Sequence, residues 1–125
     1  MANPSIVNAT AIGKEVLRRT YITGAGESLQ TILTVPAEHI ITILSISIME
    51  RSNEAASKFD LLISPDGGTA FYLLIQQGVP GYDTFVWSDR IVLTGGDLLK
   101  IEPAGTGTVT FDVWCSYIDQ QFAAP

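Results

Sequence analysis

Short runs of β-branched and aromatic residues, each ended by Gly, Pro or Asp, recur along this chain at close spacing. β-Branched side chains pack well on a pleated sheet, and segments rich in Gly, Pro and Asp supply turns. No window carries sustained apolar residues at helical spacing between caps. The pattern predicts about eight strands, over residues 16–22, 29–35, 40–49, 59–63, 70–75, 85–93 (one bent strand or two short ones), 98–102 and 108–118.

These strands predict an all-β chain that forms a single-domain antiparallel β-sandwich or jelly roll. A chain of 125 residues lies within the usual range for one domain. Residues 16–119 make up the predicted sandwich, and residues 120–125 a short C-terminal tail. Residues 1–15 lack a clean period, which predicts an extended N-terminal arm or, alternatively, a frayed terminus. The order of the strands within the sheets does not follow from the sequence.

Two strands carry features beyond simple alternation. In residues 40–49 both faces are apolar in part, which predicts a strand covered on both faces at one end, by a second sheet and by a neighbour. In residues 108–118 the apolar side chains alternate with polar ones, except that Trp114 lies on the polar face. Between residues 63 and 70, Asp66-Gly67-Gly68 predicts a tight turn with positive φ.

Charge and composition narrow the classes of partner. The formal net charge is −6, and the seven Lys and Arg residues are scattered apart from Arg18-Arg19. Nucleic acid and anionic membrane surfaces require clustered positive charge, so we expect neither as a partner. Charged residues make up 16% of the chain, below the usual quarter, which indicates that a partner covers part of its surface. Residues 1–10 lack the features of a secretory signal, so we expect synthesis in a cytoplasm.

The residues that usually carry chemistry are few. His39 is the only histidine and Cys115 the only cysteine, which is too few for a zinc or iron site and excludes an intrachain disulfide. We interpret His39 as a solvated turn residue and Cys115 as a buried packing residue. The aspartates near turns are read as caps of backbone amides and not as calcium ligands. We therefore expect no enzyme, no cofactor and no metal, although paired carboxylates of a glycosidase remain open.

Aromatic residues are the better indication of a contact surface. Tyr82, Phe85 and Trp87 follow the segment Gly78–Gly81, and Trp114 projects from the polar face of the last strand. Exposed aromatic side chains stack on sugar rings or anchor protein interfaces, and they also cover the open ends of a sandwich. Either role remains open for these four residues.

Three stretches in the second half of the chain carry a resemblance to a known family. They are FDLLISPDGG at 59–68 followed by YLL at 72–74, IVLTGGDLLK at 91–100, and GTV at 107–109 leading to Ser116-Tyr117. In this order they resemble the small β proteins, or β modules, of tailed-bacteriophage virions. The sequence departs from that pattern at Tyr82, where a smaller residue is more usual.

The resemblance implies a structural virion protein, located in the virion. The first choice is a capsid decoration (cement) protein that self-associates as a homotrimer and binds the major capsid protein or other virion proteins. In that reading, Ile6, Val7 and Ile12 of the arm contact the shell or a neighbouring subunit. The alternatives are a neck or tail structural component, and a carbohydrate-binding or receptor-binding β module.

Overall fold

The computed structural model describes residues 15–122. This part of the chain forms nine strands, a short 3₁₀ turn over Pro65–Gly67 and no α-helix, which confirms the all-β class. Segment 85–93 forms two short strands and not one bent strand. The strands are β1 (Glu15–Ala25), β2 (Gln30–Thr34), β3 (His39–Glu50), β4 (Lys58–Ser64), β5 (Phe71–Gly78), β6 (Thr84–Trp87), β7 (Ile91–Thr94), β8 (Leu98–Ala104) and β9 (Phe111–Gln121).

The ends of the described region bear on the predicted arm and tail. β1 begins at Glu15, the last residue of the predicted arm, and β9 ends at Gln121, so that residues 120 and 121 of the predicted tail belong to a strand. Ile6, Val7 and Ile12 lie outside the described residues. The arm and the roles given to these three residues therefore stay predictions.

The strands form two antiparallel sheets. Sheet A has the order β1-β9-β3, with β6 and β7 both pairing along the outer edge of β3, and sheet B has the order β2-β8-β4-β5. Because β6 pairs with residues 46–49 of β3 and β7 with residues 40–43, the two act as halves of one edge strand. When β6 and β7 are counted as one strand, β8 becomes the seventh strand and β9 the last. The first strand then pairs with the last, the second with the seventh, the third with the sixth and the fourth with the fifth. This nested pairing is that of a jelly roll.

The core lies between the two sheets and is made by alternate residues of each strand. In β9, Phe111, Val113 and Cys115 all point inward and are buried, as the alternation predicted. Phe59 of β4 meets Phe111 and Phe85 edge-on, with ring centroids 5.7 and 5.6 Å apart. Edge-to-face pairs of this kind add to the free energy gained by burying the rings.

A β-bulge explains why β3 looks apolar on both faces. Ile41 and Ile43 are buried, and further along Ile46 and Ile48 are buried, so the inward positions shift by one residue. The register with β9 shifts between Ile43 and Ser45, where β3 contains one extra residue. A bulge of this kind reverses the alternation of a strand beyond it. The bulge therefore explains the two-sided apolar pattern, and the cover of β3 by a neighbour stays a prediction.

The turn between β4 and β5 has the predicted positive φ at Asp66 and Gly67, whereas Gly68 has a φ of −82°. Asp66 and Gly67 have φ values of 44° and 72°, which agrees with the positive φ expected for Asp-Gly. The carboxylate of Asp97 accepts hydrogen bonds from the amides of Asp66, at 3.0 Å, and Thr94, at 2.9 Å. Asp97 thus caps two turns, its own and that of Asp66, and holds them together at one end of the sandwich.

Candidate interaction surface

The outward side of sheet A, called here the sheet A face, carries an unusual amount of exposed apolar surface. Outward positions of neighbouring strands form rows across it, such as Tyr21, Trp114, Ser47 and Val86. A single exposed apolar residue needs no explanation, but several on one sheet face indicate a contact surface. The exposed large apolar residues of the face are Leu17, Tyr21, Met49, Val86, Val92 and Trp114.

An aromatic pair with an arginine stands near the middle of the β1–β9 part of this face. Tyr21 and Trp114 are direct cross-strand partners, and their rings are stacked with centroids 5.6 Å apart and planes at 15°. The guanidinium carbon of Arg19 lies 5.2 Å from the centroid of Tyr21 and 5.4 Å from that of Trp114. Tyr21 is nevertheless 54% exposed and Trp114 48% exposed, so this Tyr21–Trp114–Arg19 cluster offers much of its surface to a partner.

A shallow groove runs beside the cluster. Its volume is about 420 Å³, and Trp114, Tyr21, Met49, Thr84 and Asp112 are among the residues that line it. The lining is mostly apolar and includes hydroxyl groups and one carboxylate. A groove of this size can accept a side chain or a small ligand.

The sheet A face carries few charges. Along the described strands its outward charged residues are Arg19 and Asp112, with Glu15 at the far end of β1. Arg51, just beyond β3, lies 3.4 Å from Asp112 and forms an ion pair with it. The outward side of sheet B differs, because Lys58, Asp60 and Lys100 point away from the core there, beside Glu102. Interface centres are depleted of Lys, Glu and Asp relative to other surface. The contrast therefore marks the sheet A face as the better candidate for a protein contact.

The edge of sheet B is a second exposed apolar region. β5 is the outermost strand of that sheet, and Phe71, Tyr72 and Ile75 on it are exposed. Unpaired edge strands of this kind readily pair with other chains unless they are protected. The register of β5 with β4 is irregular, and Gln76 has a φ of 51°, which makes this edge uneven.

His39 is not the solvated turn residue that the sequence predicted. It is the first residue of β3, its side chain is largely buried, and its Nδ1 lies 2.6 Å from Oδ1 of Asp119. The Nε group of Arg18 donates to the other oxygen of Asp119 at 3.0 Å. Asp119 thus ties the ends of β1, β3 and β9 together, and His39 is held by a partner that is distant in sequence.

Glu50 is a buried carboxylate with a structural role. Its two oxygens accept hydrogen bonds from the amides of Ser52, Asn53 and Glu54 and from the hydroxyl of Ser57. Burial raises the pKa of this carboxyl, but the hydrogen bonds outweigh burial, so the pKa lies below the ordinary value of 4.5. Glu50 therefore organises the loop between β3 and β4 as an ionised group.

Cys115 is the packing residue that the sequence predicted. It is fully buried within β9, and burial raises the pKa of its thiol to about 12. Because the thiolate is the reactive form of cysteine, a thiol in this state is inert near neutral pH.

The four aromatic residues predicted as a contact surface are not on one face. Trp114 belongs to the sheet A face, whereas Phe85 and Trp87 are partly buried against the core on the opposite side of that sheet. Tyr82 is 64% exposed in the loop before β6, with a φ of 63°. A partner contact at any of them stays a prediction.

The residues that the sequence missed are Arg19, Tyr21 and Met49. They meet Trp114 only through the pairing of β1 and β3 with β9. That pairing leaves no local signal in the sequence, because its partners lie in distant segments. Alternation alone could have placed Tyr21 on the same side of β1 as Arg19.

Within residues 15–122 no group of three or more His, Cys, Asp or Glu residues is arranged to hold a metal ion. The same part of the chain contains no helix long and apolar enough to cross a membrane.

Comparison with known proteins adds a likeness in fold. No protein-family model matches the sequence, and a search of curated proteins finds no match. A solved structure of Bacillus endospore appendages, described as disulfide-linked pili, is similar over 92% of this chain and 95% of its own, with a TM-score of 0.52 and 14% identity. At that identity the likeness shows the fold alone.

Two virus structures are more distant. A structure of infectious bursal disease virus matches with a TM-score of 0.47 and 9% identity, over 88% of this chain and 38% of its own. A pentameric capsid protein from metagenomic phage sequences matches with a TM-score of 0.34 and 16% identity, over 82% of this chain and 61% of its own.

Proposed function

We propose that this chain is a structural virion protein of a tailed phage, a capsid decoration protein that self-associates and binds the shell. The observation that carries the proposal is the sheet A face, an exposed apolar surface with few charges. Such a surface is costly to leave in water and marks a contact with another protein. The resemblance in residues 59–117 to β proteins of phage virions supports the choice of particle.

We also propose that the chain is not an enzyme. In the described part of the chain the lone histidine is held by Asp119, and the lone cysteine is an inert buried thiol. Nucleophilic catalysis requires an activated nucleophile beside a base, and these two residues do not provide that arrangement.

Assembly of this chain would rest on non-covalent contacts. The appendages with a similar fold are described as disulfide-linked, whereas Cys115 is the only cysteine here and is fully buried. The surfaces that remain for assembly are apolar faces and strand edges, and symmetric contacts between copies use both. The phage resemblance favours three copies per assembly.

Immunogold labelling of particles of the phage that encodes the chain tests this function. Label spread evenly over the shell is the expected result. Label confined to the neck or tail would favour a neck or tail component instead. Particles without label would contradict a virion role.

A sugar-binding module is the second candidate function, and the groove beside Tyr21 and Trp114 favours it. Exposed aromatic rings beside hydroxyl and carboxyl groups can hold a saccharide. A glycan array probed with the purified protein tests this candidate, and binding that is lost in Trp114→Ala would support it. An array without hits would remove it.

A further inference from the structure

We propose that the sheet A face is closed by the same face of a second copy of this chain, in a two-fold contact centred on Tyr21 and Trp114. The inference rests on the proposed self-association and names the surface that carries it. Three properties of the face support a second copy as its occupant: its area, its composition and the placement of its two central charges.

The area of the face suits a stable protein contact. β1 and β9 each contain 11 residues. At about 3.3 Å per residue they are roughly 36 Å long, and four strands about 4.8 Å apart are roughly 19 Å wide. The product is roughly 700 Å² for the whole face, of the same order as the roughly 800 Å² that each partner contributes to a standard interface, and a contact centred on the two rings uses part of it.

The composition of the face is that of an interface centre. Trp, Tyr and Arg are the residue types most enriched among energetic hot spots, and one of each forms the Tyr21–Trp114–Arg19 cluster. Met49 and Val86 extend the apolar surface on the far side of Trp114. No lysine points outward from the described strands of this face. A saccharide would use the groove alone and leave most of this surface in water.

The two central charges make the face complementary to itself. Arg19 lies two residues from Tyr21 along β1, and Asp112 lies two residues from Trp114 along β9 in the opposite direction. A two-fold axis that lies in the plane of the contact, runs roughly perpendicular to the strands and passes between the two rings therefore places Arg19 of each copy over Asp112 of the other. The same axis places the two aromatic pairs on each other. Glu15 lies toward the end of the face, outside this central contact.

Both charged side chains are accessible for such a contact. The side chain of Asp112 is 40% exposed, and its hydrogen bonds from the amide of Gly24 and from Arg51 are both made at Oδ1. Arg19 is exposed and held above the rings by cation–π contacts. A partner's carboxylate can therefore meet the guanidinium without rearrangement of either strand.

Exchanging the charges of Arg19 and Asp112 tests the inference. Native mass spectrometry measures the number of copies, and sedimentation velocity measures how tightly they associate. The contact between position 19 of one copy and position 112 of the other occurs twice because of the two-fold symmetry. Arg19→Glu alone or Asp112→Arg alone therefore brings like charges together at both places. We expect each single change to raise the dissociation constant of the wild-type contact by about tenfold or more. The double variant Arg19→Glu/Asp112→Arg restores opposite charges, so we expect it to recover most of the affinity.

Matched controls are Lys100→Glu and Glu102→Arg, which make the same charge changes on sheet B and should leave the mass unchanged. A two-fold contact yields an even number of copies, two or, where trimers pair, six. A wild-type trimer has an odd number of copies, so it would overturn this inference and leave the proposed function standing. A wild-type chain that remains a monomer up to millimolar concentration would also overturn it, and so would a double variant that associates as weakly as the single variants with unchanged thermal stability.

Discussion

Tyr21 and Trp114 stack on each other across neighbouring strands, with ring centroids 5.6 Å apart on the outward side of sheet A. The two residues belong to the first and last strands of the jelly roll, and the closure of the fold brings them together. A buried stack would be explained by the core, but this stack is half-exposed. We regard it as the centre of a surface that binds another protein.

Replacing Trp114 by Ser tests the role of this stack. The ring is half-exposed, so we expect the free energy of unfolding of the isolated chain to change by about 1 kcal/mol or less. Self-association should weaken about tenfold or more, because aromatic residues at interface centres carry much of the binding energy. Sedimentation velocity measures the association, and urea unfolding measures the stability.

Leu29→Ser is the matched control for Trp114→Ser. Leu29 is 48% exposed, as Trp114 is, but lies in the segment between β1 and β2, next to a strand of sheet B. We expect it to leave association unchanged. If the two variants weakened association equally, the stack would have no special role.

Glu50→Gln is expected to destabilise the fold by about 2 to 4 kcal/mol. The carboxylate accepts hydrogen bonds from three amides and from the hydroxyl of Ser57. An amide group replaces one acceptor oxygen by an NH₂ donor, which leaves a buried N–H unpaired. Urea unfolding measures the change, and Glu102→Gln, at an exposed position, is the control. Equal stabilities of the Glu50 variant and wild type would contradict the structural role given to this carboxylate.

The contribution of Glu50 to the free energy of unfolding should also depend on pH, and its direction follows from the pKa. Because its pKa in the folded chain lies below the ordinary 4.5, the native state binds the proton less tightly than the unfolded state. The stabilisation is therefore complete above pH 4.5 and is lost as the pH falls through the folded pKa. Unfolding of wild type and Glu50→Gln across this range should show a constant difference near neutral pH that shrinks in acid. A difference that grows in acid would contradict the direction of the shift.

Cys115 is expected to resist thiol reagents while the chain is folded. Its pKa of about 12 and its full burial leave almost no accessible thiolate at pH 8. Labelling with a chromogenic disulfide should proceed at the rate of unfolding in buffer and immediately in denaturant. Rapid labelling of the native protein would contradict the burial of this residue.

The strand positions could be predicted because alternation and turn residues are local properties of the sequence. β9 shows this best, since Phe111, Val113, Cys115 and Tyr117 point inward and Trp114 outward, as expected. β3 shows the limit. Its bulge near Ile43 left only a change in the phase of the apolar residues, which we interpreted as cover on both faces.

The candidate surface could be predicted only in part, because it is made by pairing between distant segments. Trp114 was visible as an exception on a polar face, but its contacts with Tyr21 and Arg19 depend on the register of β1 with β9. The partner of His39 was missed for the same reason, since Asp119 lies at the other end of the chain. Such contacts depend on the order of the strands in the sheets, and no local pattern in the sequence indicates that order.

The native mass of the wild-type chain at micromolar concentration tests the central claim most directly. A self-associating structural protein should sediment as a defined multiple of its 13.5 kDa chain, with a mass that falls on dilution. Two or six copies would agree with a two-fold contact through the sheet A face, and three with the trimer that the phage resemblance implies. A chain that remains a monomer up to millimolar concentration would contradict self-association.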